Sequence, residues 1–262
     1  MIPVVIPAYK QSDQLRKCLE HLSRQSVPVD VFVRDNTRDN IYFTAAVNEG
    51  IRRYLSRDWQ YVAILNQDMY LKPDAAERMV AFMDSHPTCG IAAPLQLHTE
   101  DPECVIWAGG EQAFPAGKHK WGRLAEFNFD QEVLWCNGAC MMLRRQMVQE
   151  IGLFDENFVF LGSDSDYCFT ARARGWQVWR VGGALGFHEC GESAHVVDPA
   201  LEAVKAEDML YFGRKWLTGA LYRELAGPES LYAPEQTAEM MSALERIREQ
   251  GAQPASLTRS IR

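Results

Sequence analysis

The chain has 262 residues, enough for one large domain or two small ones with a substantial core. A formal net charge of −8 argues against a general nucleic-acid-binding protein, which normally presents a basic surface. Seven cysteines without paired metal-site spacing indicate buried thiols in a reducing compartment. With no basic leader and no apolar run of membrane-spanning length, we expect a cytoplasmic protein.

The first ninety or so residues alternate strand and helix patterns. Strands are predicted at 4–6, 29–33, 61–65 and 89–93, and helices at 12–25, 44–57 and 73–85. This alternation predicts a parallel sheet covered by helices, with ligands bound at the carboxyl ends of the strands. Asp35-Asn36 and Asn66-Gln67-Asp68 follow two of the strands, so a ligand site is expected at that edge.

The pattern changes after about residue 95. Residues 95–130 are rich in Gly, Pro and His and predict loops and short strands. A strand is predicted over 133–143, interrupted at Asn137-Gly138 where glycine marks a close approach. The remaining predictions are a short helix before Gly152, a strand at 177–181, and helices over 200–217 and 235–249.

Two carboxylates two residues apart, Asp164 and Asp166, open one of the helical segments. Acidic residues at a helix start complement its exposed N–H groups and dipole, but capping needs only one of them. An aromatic shelf of Phe154, Phe158 and Phe160 precedes the pair. A carboxylate at the edge of such a shelf is partly desolvated, which suits a general base. Capping and catalysis both remain open from this segment alone.

The other polar candidates also have two interpretations each. Asp35 could form an Asx turn or accept a hydrogen bond from a nucleobase or ribose. Asp68 could be a turn residue or an oxygen ligand for a divalent ion that bridges a diphosphate. His188 could be structural or a ligand. Neither a Gly-rich phosphate loop nor a nucleophile elbow occurs in the sequence.

In order and spacing, these segments resemble the family 2 glycosyltransferases of GT-A fold, and especially their rhamnosyltransferase-like branch. The resemblance runs from Val4 to about Trp216. Its motifs are Val5-Ile6-Pro7-Ala8-Tyr9, Arg34-Asp35-Asn36, Asn48-Glu49-Gly50, Asn66-Gln67-Asp68, Trp107-Ala108-Gly109-Gly110, Asn137-Gly138-Ala139-Cys140-Met141, Gly152-Leu153-Phe154-Asp155 and Asp164-Ser165-Asp166. Three positions depart from the family pattern: Tyr42 replaces a Gly, Asn66 an Asp and Ser163 a Glu.

The resemblance implies an α/β fold of GT-A type. We expect a mostly parallel nucleotide-binding sheet flanked by helices, an acceptor-binding subdomain and C-terminal helices. The implied divisions are a nucleotide-sugar-binding half at 1–95, an acceptor-binding and catalytic half at 96–217, and a C-terminal helical extension at 218–262.

The resemblance also implies a metal-dependent inverting glycosyltransferase acting in glycan or polysaccharide synthesis. Asp164 would be the catalytic base, while Asp68 and His188 would hold Mg²⁺ or Mn²⁺, and Arg172 is the expected partner of Asp166. A dTDP-, UDP- or GDP-sugar donor would be bound by Pro7, Tyr9, Asp35, Asn40, Asn48 and Gln67. The acceptor, a glycan, a lipid-linked compound or another hydroxyl compound, would be bound by Trp107, Gly138 and Asp166.

Two alternatives belong to other functional classes. The departures at Asn66 and Ser163 are compatible with a GT-A-like module that binds a nucleotide or glycan without turnover. A sugar nucleotidyltransferase is less favoured, because residues 7–11 do not form the Gly-rich basic loop expected after its first strand. The apolar residues Leu210, Phe212, Trp216 and Leu217 could cover the core, dimerise or contact a membrane surface, and core packing is favoured.

Overall fold

The computed structural model describes residues 1–10, 12–189, 198–217, 219–227 and 232–252. Its strands are β1 Ile2–Ala8, β2 Val29–Asp35, β3 Tyr61–Leu65, β4 Met69–Leu71, β5 Cys89–His98, β6 Cys104–Trp107, β7 Gly110–Gln112, β8 Lys118–His119, β9 Gly122–Arg123, β10 Gln131–Glu132, β11 Cys140–Arg144 and β12 Gln177–His188. Its helices are α1 Ser12–Leu22, α2 Tyr42–Tyr54, α3 Ala75–Ser85, α4 Arg145–Ile151, α5 Ser163–Arg172, α6 Pro199–Phe212, a π-helical turn Gly213–Leu217, α7 Ala220–Ala226 and α8 Pro234–Ala252.

The central sheet has the strand order β10-β12-β5-β11-β3-β1-β2. β1 is parallel to β2 and β3, and β5 is parallel to β12. The reversed strand β11 lies between β3 and β5, and β4 pairs antiparallel with the carboxyl end of β12. The expected α/β fold with a mostly parallel, helix-flanked sheet is therefore confirmed.

Burial on both faces explains the composition of the central strands. All five residues of β3 are buried, because apolar layers that include residues of α2, α4 and α5 on one side and α1 and α3 on the other enclose the sheet. Helix α2 lies directly on β1: a Cβ atom at Gly50 would be 2.2 Å from Val5 Cγ1. This close packing fixes the position of the chain between β2 and α2.

Two predicted strands differ from the structure. The strand expected over 133–143 begins only at Cys140. Before it, backbone N–H groups donate to side chains instead of to a neighbouring strand. The N–H of Cys136 donates to Cys168 Sγ, and that of Gly138 donates to the Asp164 carboxylate. The strand expected at 177–181 continues to His188 across an irregular pairing between Val181 and Leu185. Both differences bring polar residues to the carboxyl edge of the sheet.

The C-terminal apolar residues pack into the core. Leu210 and Phe212 are fully buried, and Trp216 is nearly so. Leu217 packs against the same cluster from a partly exposed position. The favoured interpretation of these side chains as core residues agrees with their burial.

Among the residues that the structure describes, no helix combines the length and apolarity needed to cross a bilayer.

Candidate active site

The loop after β2 is held by an arginine clamp. The Arg34 guanidinium donates to both carboxylate oxygens of Asp39, at 3.0 and 2.9 Å, and to Glu49 at 2.9 Å. Asp35 accepts from the backbone N–H of Thr37 at 2.8 Å, so it does form an Asx turn. Hydrogen bonds from the Thr37 hydroxyl and N–H lower the pKa of Asp35. The carboxylate is thus an exposed, ionised acceptor, and its contact with a nucleobase stays a prediction.

Three of the predicted donor residues meet beside this loop. The Gln67 side-chain oxygen accepts from the N–H of Tyr9 at 2.8 Å, and its NH₂ group donates to the Tyr9 carbonyl at 3.1 Å. Pro7, two residues before Tyr9, is half-buried on β1 and is in register with Arg34. The Gln67 amide therefore positions Tyr9, a residue that is 43% exposed at the edge of the sheet.

A strained residue begins helix α2. Tyr42 has φ of 60°, a left-handed conformation that is costly for an aromatic residue and free for the glycine usual in the family. The Asn40 side chain accepts from its N–H at 2.9 Å, and Asn36 donates to its carbonyl at 3.3 Å. The Tyr42 ring contacts Phe160 edge-on at 6.2 Å between centroids. Asn40 therefore supports this turn from an exposed position.

Asn48 does not line the exposed edge of the sheet where the nucleotide was expected. Its side chain is fully buried, and its amide bonds to both backbone groups of Phe154, at 2.9 and 3.0 Å. It also donates to Glu156 at 2.9 Å. A buried amide with these partners is satisfied internally, so Asn48 joins α2 to the segment after Gly152.

Asp68 and His188 lie together at the carboxyl edge of the sheet. His188 pairs with Met69 across β12 and β4, and the N–H of Glu189 donates to the Asp68 carbonyl at 3.0 Å. These backbone bonds set His188 Nε2 3.5 Å from Asp68 Oδ1. A carboxylate oxygen and an imidazole nitrogen side by side fit a divalent metal ion. No cluster of three or more His, Cys, Asp or Glu ligands forms within the described ranges.

Asp164 occupies the first turn of α5. Its Oδ2 atom accepts from the Gly138 N–H at 2.8 Å, and its Oδ1 atom accepts from the Ser165 N–H at 2.7 Å. Burial raises the pKa of this carboxyl group, and the two backbone N–H groups act in the opposite direction. Since the residue keeps partial solvent contact, it combines a fixed orientation with raised basicity.

Asp166 is a core residue, and the prediction that Arg172 is its partner was wrong. Its side chain is 2% exposed and is bonded by Lys215 Nζ at 2.8 Å and Trp216 Nε1 at 2.7 Å. Arg172 instead donates to Glu132 at 2.9 Å, because six residues of helix carry it about 9 Å along the axis from Asp166. Burial raises the pKa of Asp166, which the Lys215 charge opposes. The structure therefore does not present Asp166 to an acceptor.

The other two acceptor candidates also lie below the surface. Trp107 is 1% exposed, and its Nε1 atom is buried without a hydrogen-bond partner. Gly138 packs against Phe43, whose Cζ atom would be 2.5 Å from a Cβ atom at that position. Gly138 thus belongs to the support of Asp164, while Trp107 lies in the main core.

Sequence reasoning missed two residues of this site, Gln96 and Lys215. Gln96 is a fully buried amide on β5 that faces His188 and Asn137. The sequence feature that could have identified Gln96 is that it is a single polar residue within the apolar run of 89–97. Lys215 joins Asp166 to Asp155, at 2.8 and 2.9 Å. Its signal was weak, since one lysine in a mixed helical segment is ordinary.

Comparison with known proteins gives one family match. Residues 28–152 match the family described as glycosyl transferase family 2. No curated protein sequence matches the chain. The family match agrees with the expected resemblance and does not single out the rhamnosyltransferase-like branch.

Two solved structures share the fold over nearly the whole chain. One is the crystal structure of GalNAc-T7 with UDP, GalNAc and Mn²⁺, with a TM-score of 0.61 and 13% identity over 96% of this chain. The other is the mannosyltransferase PcManGT from Pyrobaculum calidifontis in complex with GDP-Man and Mn²⁺, with a TM-score of 0.56 and 13% identity over 98% of this chain. This chain covers 55% of the first structure and 76% of the second.

Proposed function

We propose that this chain, with its glycosyl transferase family 2 segment and GT-A fold, is a metal-dependent inverting glycosyltransferase. It would move a sugar from a nucleotide diphosphate sugar to an acceptor hydroxyl. The observation that carries the proposal is the Asp164 carboxylate, which is fixed by two backbone N–H groups at the edge that also carries Asp68 and His188. A base and a metal-type ligand pair on one edge are two of the groups that this chemistry would use.

The nucleotide would lie along the exposed ends of β1 and β2. Asp35 is ionised there and offers an oxygen to a base or ribose donor, and the half-exposed Tyr9 ring offers a stacking surface. Gln67 and Asn40 would hold the backbone beneath the nucleotide. Arg34 would keep the loop after β2 in place through Asp39 and Glu49.

Asp68 and His188 would hold Mg²⁺ or Mn²⁺, with the donor phosphates completing the coordination. When bound, the ion would neutralise charge on the departing nucleoside diphosphate. With Asn66 in place of the first acidic residue of the family motif, Asp68 supplies the only carboxylate of that triplet. Both compared structures contain Mn²⁺ with a nucleotide or nucleotide sugar, which supports the choice of cofactor.

Asp164 would take the proton of the acceptor hydroxyl. As the proton leaves, the acceptor oxygen attacks the anomeric carbon, and the bond from that carbon to the diphosphate oxygen breaks with its electron pair on the diphosphate. Attack from the opposite face inverts the anomeric centre in a single displacement. The raised pKa of Asp164 strengthens it as a base, and its bonds to Gly138 and Ser165 keep it oriented.

The biological setting follows from the same resemblance. We propose a role in cytoplasmic glycan or polysaccharide synthesis, and dTDP-rhamnose is the first donor to test. UDP- and GDP-sugars come next, because the two compared structures contain UDP and GDP-Man. Acceptors to screen are glycans, lipid-linked compounds and other hydroxyl compounds.

A second candidate is a GT-A module that binds its ligand without turnover. It is favoured by Ser163, whose hydroxyl is buried without a hydrogen-bond partner at the position where the family has a glutamate. Asn66 removes a further carboxylate. Wild-type protein that binds a nucleotide sugar but forms no product across the donor and acceptor screen would support this module.

The test of the catalytic proposal begins with calorimetric binding of dTDP, UDP and GDP, with and without Mn²⁺, followed by transfer assays. Asp164→Asn should lower turnover by about 10³-fold or more, because it removes the proton acceptor and one of the two backbone hydrogen bonds that orient it. The donor Kd should stay within about twofold, because the proposed donor-binding residues are unchanged. Asp74→Asn, at an exposed helix start, is the matched control. Near-wild-type turnover of Asp164→Asn would show that another group is the base.

A further inference from the structure

Two partly exposed aromatic rings stand beside the residues that orient the candidate base. Trp107, Gly138 and Asp166, which were expected to bind the acceptor, all lie below the surface. Tyr42 at the start of α2 and Phe160 before α5 are partly exposed instead, and their rings meet edge-on at 6.2 Å between centroids and 73° between planes. Neither ring belongs to the donor, metal or base residues proposed above.

Both rings lie next to the support of Asp164. Phe43, which follows Tyr42, packs so closely on Gly138 that a Cβ atom there would be 2.5 Å from Phe43 Cζ. The Gly138 N–H in turn donates to Asp164 Oδ2 at 2.8 Å. On the other side, Phe160 comes only four residues before Asp164 in the chain. The start of α2 and the segment before α5 therefore converge beside the carboxylate of the base.

Backbone hydrogen bonds hold both rings in place. The Tyr42 N–H donates to Asn40 at 2.9 Å, and the Tyr42 carbonyl accepts from Asn36 at 3.3 Å. The Phe160 N–H donates to the buried carboxylate of Asp208 at 2.8 Å. A pair of rings that is fixed before a ligand arrives loses little conformational entropy when the ligand binds. The arrangement is thus suited to binding.

Tyr42 holds its position at a conformational cost. Its φ of 60° lies in the left-handed region, which is unfavourable for a residue with a Cβ atom and free for glycine. Core burial does not account for this cost, because the residue keeps part of its surface exposed. Strain of this kind is concentrated at ligand-binding and catalytic positions. The placement of the Tyr42 ring therefore points to contact with a ligand.

We propose that Tyr42 and Phe160 form a platform for a saccharide acceptor and that Tyr42 selects this substrate class. A pyranose ring carries C–H groups on its faces and hydroxyl groups around its edge. One face can pack on the aromatic rings while a hydroxyl of the edge meets Asp164. The inference rests on the proposed function for the identity of the ligand as the acceptor, whereas saccharide binding itself requires no turnover.

Saturation-transfer NMR on the whole protein tests the platform without any donor. The probes are the methyl glycosides of rhamnose, mannose, galactose, glucose and N-acetylglucosamine, with decyl phosphate as the lipid-like probe. We expect at least one glycoside to bind, with saturation strongest at the C–H groups of one ring face. Tyr42→Phe should keep its Kd within about twofold, while Tyr42→Gly and Tyr42→Ala should each weaken it about tenfold, the order of one aromatic contact. Binding of decyl phosphate alone, or of no probe, would overturn the inference.

Glycine and alanine at position 42 separate the ring from the strain. Both remove the ring, but only glycine adopts a φ of 60° freely, so Tyr42→Gly should have a Tm about 2 °C above that of Tyr42→Ala. Equal weakening of glycoside binding in both variants assigns the effect to the ring. A Tm of Tyr42→Ala that matches or exceeds that of Tyr42→Gly, or a Kd restored in Tyr42→Gly, would contradict this assignment.

Trp121→Ala is the matched control for the loss of an aromatic surface. Trp121 is 76% exposed between β8 and β9, and its removal should leave the glycoside Kd unchanged. An equal weakening in Trp121→Ala would show that the glycosides bind exposed aromatic residues without preference for the platform. If Tyr42→Ala does not fold, Tyr42→Gly and Tyr42→Phe supply the comparison.

The transfer assay assigns the platform to the acceptor. Tyr42→Gly should raise the acceptor KM about tenfold and leave the calorimetric Kd of the nucleotide with Mn²⁺ within about twofold. Weakened nucleotide binding with an unchanged acceptor KM would place the ring in the donor site and overturn the inference. If the wild type binds no nucleotide and forms no product but binds glycosides through Tyr42, the proposed function fails and the saccharide platform stands.

Discussion

Replacing Lys215 with methionine should destabilise the protein mainly by leaving the buried charge of Asp166 unpaired, since the other partner of Lys215, Asp155, is 24% exposed. Asp166 is 2% exposed, and Lys215 Nζ is its one cationic partner among the described residues, at 2.8 Å. Removing one member of a buried ion pair costs about 3–5 kcal/mol, because the other charge is left without compensation. Lys215 is itself 29% exposed and Trp216 still donates to Asp166 at 2.7 Å, so we expect about 2–3 kcal/mol.

The pH dependence of this loss has a definite sign. Burial raises the pKa of Asp166 in the folded state, and removing Lys215 raises it further. A carboxyl group with a raised folded pKa binds its proton more tightly in the folded than in the unfolded protein, so stability is recovered as pH falls through the folded pKa. Lys215→Met should therefore lose less stability relative to the wild type at pH 5 than at pH 7.

Urea denaturation at the two pH values, analysed by linear extrapolation, measures both effects. Asp166→Asn combined with Lys215→Met should recover at least about half of the loss, because a neutral amide oxygen still accepts from Trp216 and no charge is buried. The control Lys205→Met leaves a carboxylate, Glu202, that is 42% exposed and so stays solvated, and it should change stability by less than about 0.5 kcal/mol. An equal loss at both pH values, or a double variant no more stable than Lys215→Met, would refute the reasoning.

Three further predictions concern the site. Since burial raises the pKa of Asp164, the acid limb of the kcat–pH profile should lie above the ordinary aspartate pKa, and a limb at the ordinary value would contradict its role. Gly138→Ala should lower kcat about tenfold, because its Cβ atom would be 2.5 Å from Phe43 Cζ, while Gly219→Ala, with no atom closer than 3.6 Å, should leave kcat unchanged. Asp68→Asn should weaken Mn²⁺ binding at least about tenfold by calorimetry without changing metal-free nucleotide affinity; equal Mn²⁺ affinity would remove Asp68 as a ligand.

The parts of the fold that could be predicted from sequence are those with local causes. Strand β3 is a continuous apolar run, and the polar residues at its end, including Asp68, had to lie at the carboxyl edge of a parallel sheet. The meeting of Asp68 with His188 was expected only from the family resemblance. It depends on β12 running on past Val181, and nothing local in the sequence specifies the irregular pairing that allows this.

The burial of individual polar residues could not be predicted in the same way. Asn48 looks like an ordinary exposed helix residue until its partner, the backbone of Phe154, is known to lie beside it 106 positions later. Lys215 reaches Asp166 because a π-helical turn directs Lys215 and Trp216 to the same oxygen. Such pairings depend on tertiary contacts, which cannot be inferred from the type of a residue and its position in the sequence.

The aromatic shelf beside Asp164 is completed by a residue made much later in synthesis. The backbone N–H groups of Val159, Phe160 and Leu161 all donate to the Asp208 carboxylate at 2.8 Å, across 47 to 49 positions of sequence. A nascent chain that has emerged only as far as β12 therefore contains all the strands and the helix that carries Asp164, but not the acceptor for these three N–H groups. These three N–H groups can therefore meet their acceptor only after α6 has been synthesised and has packed against the segment.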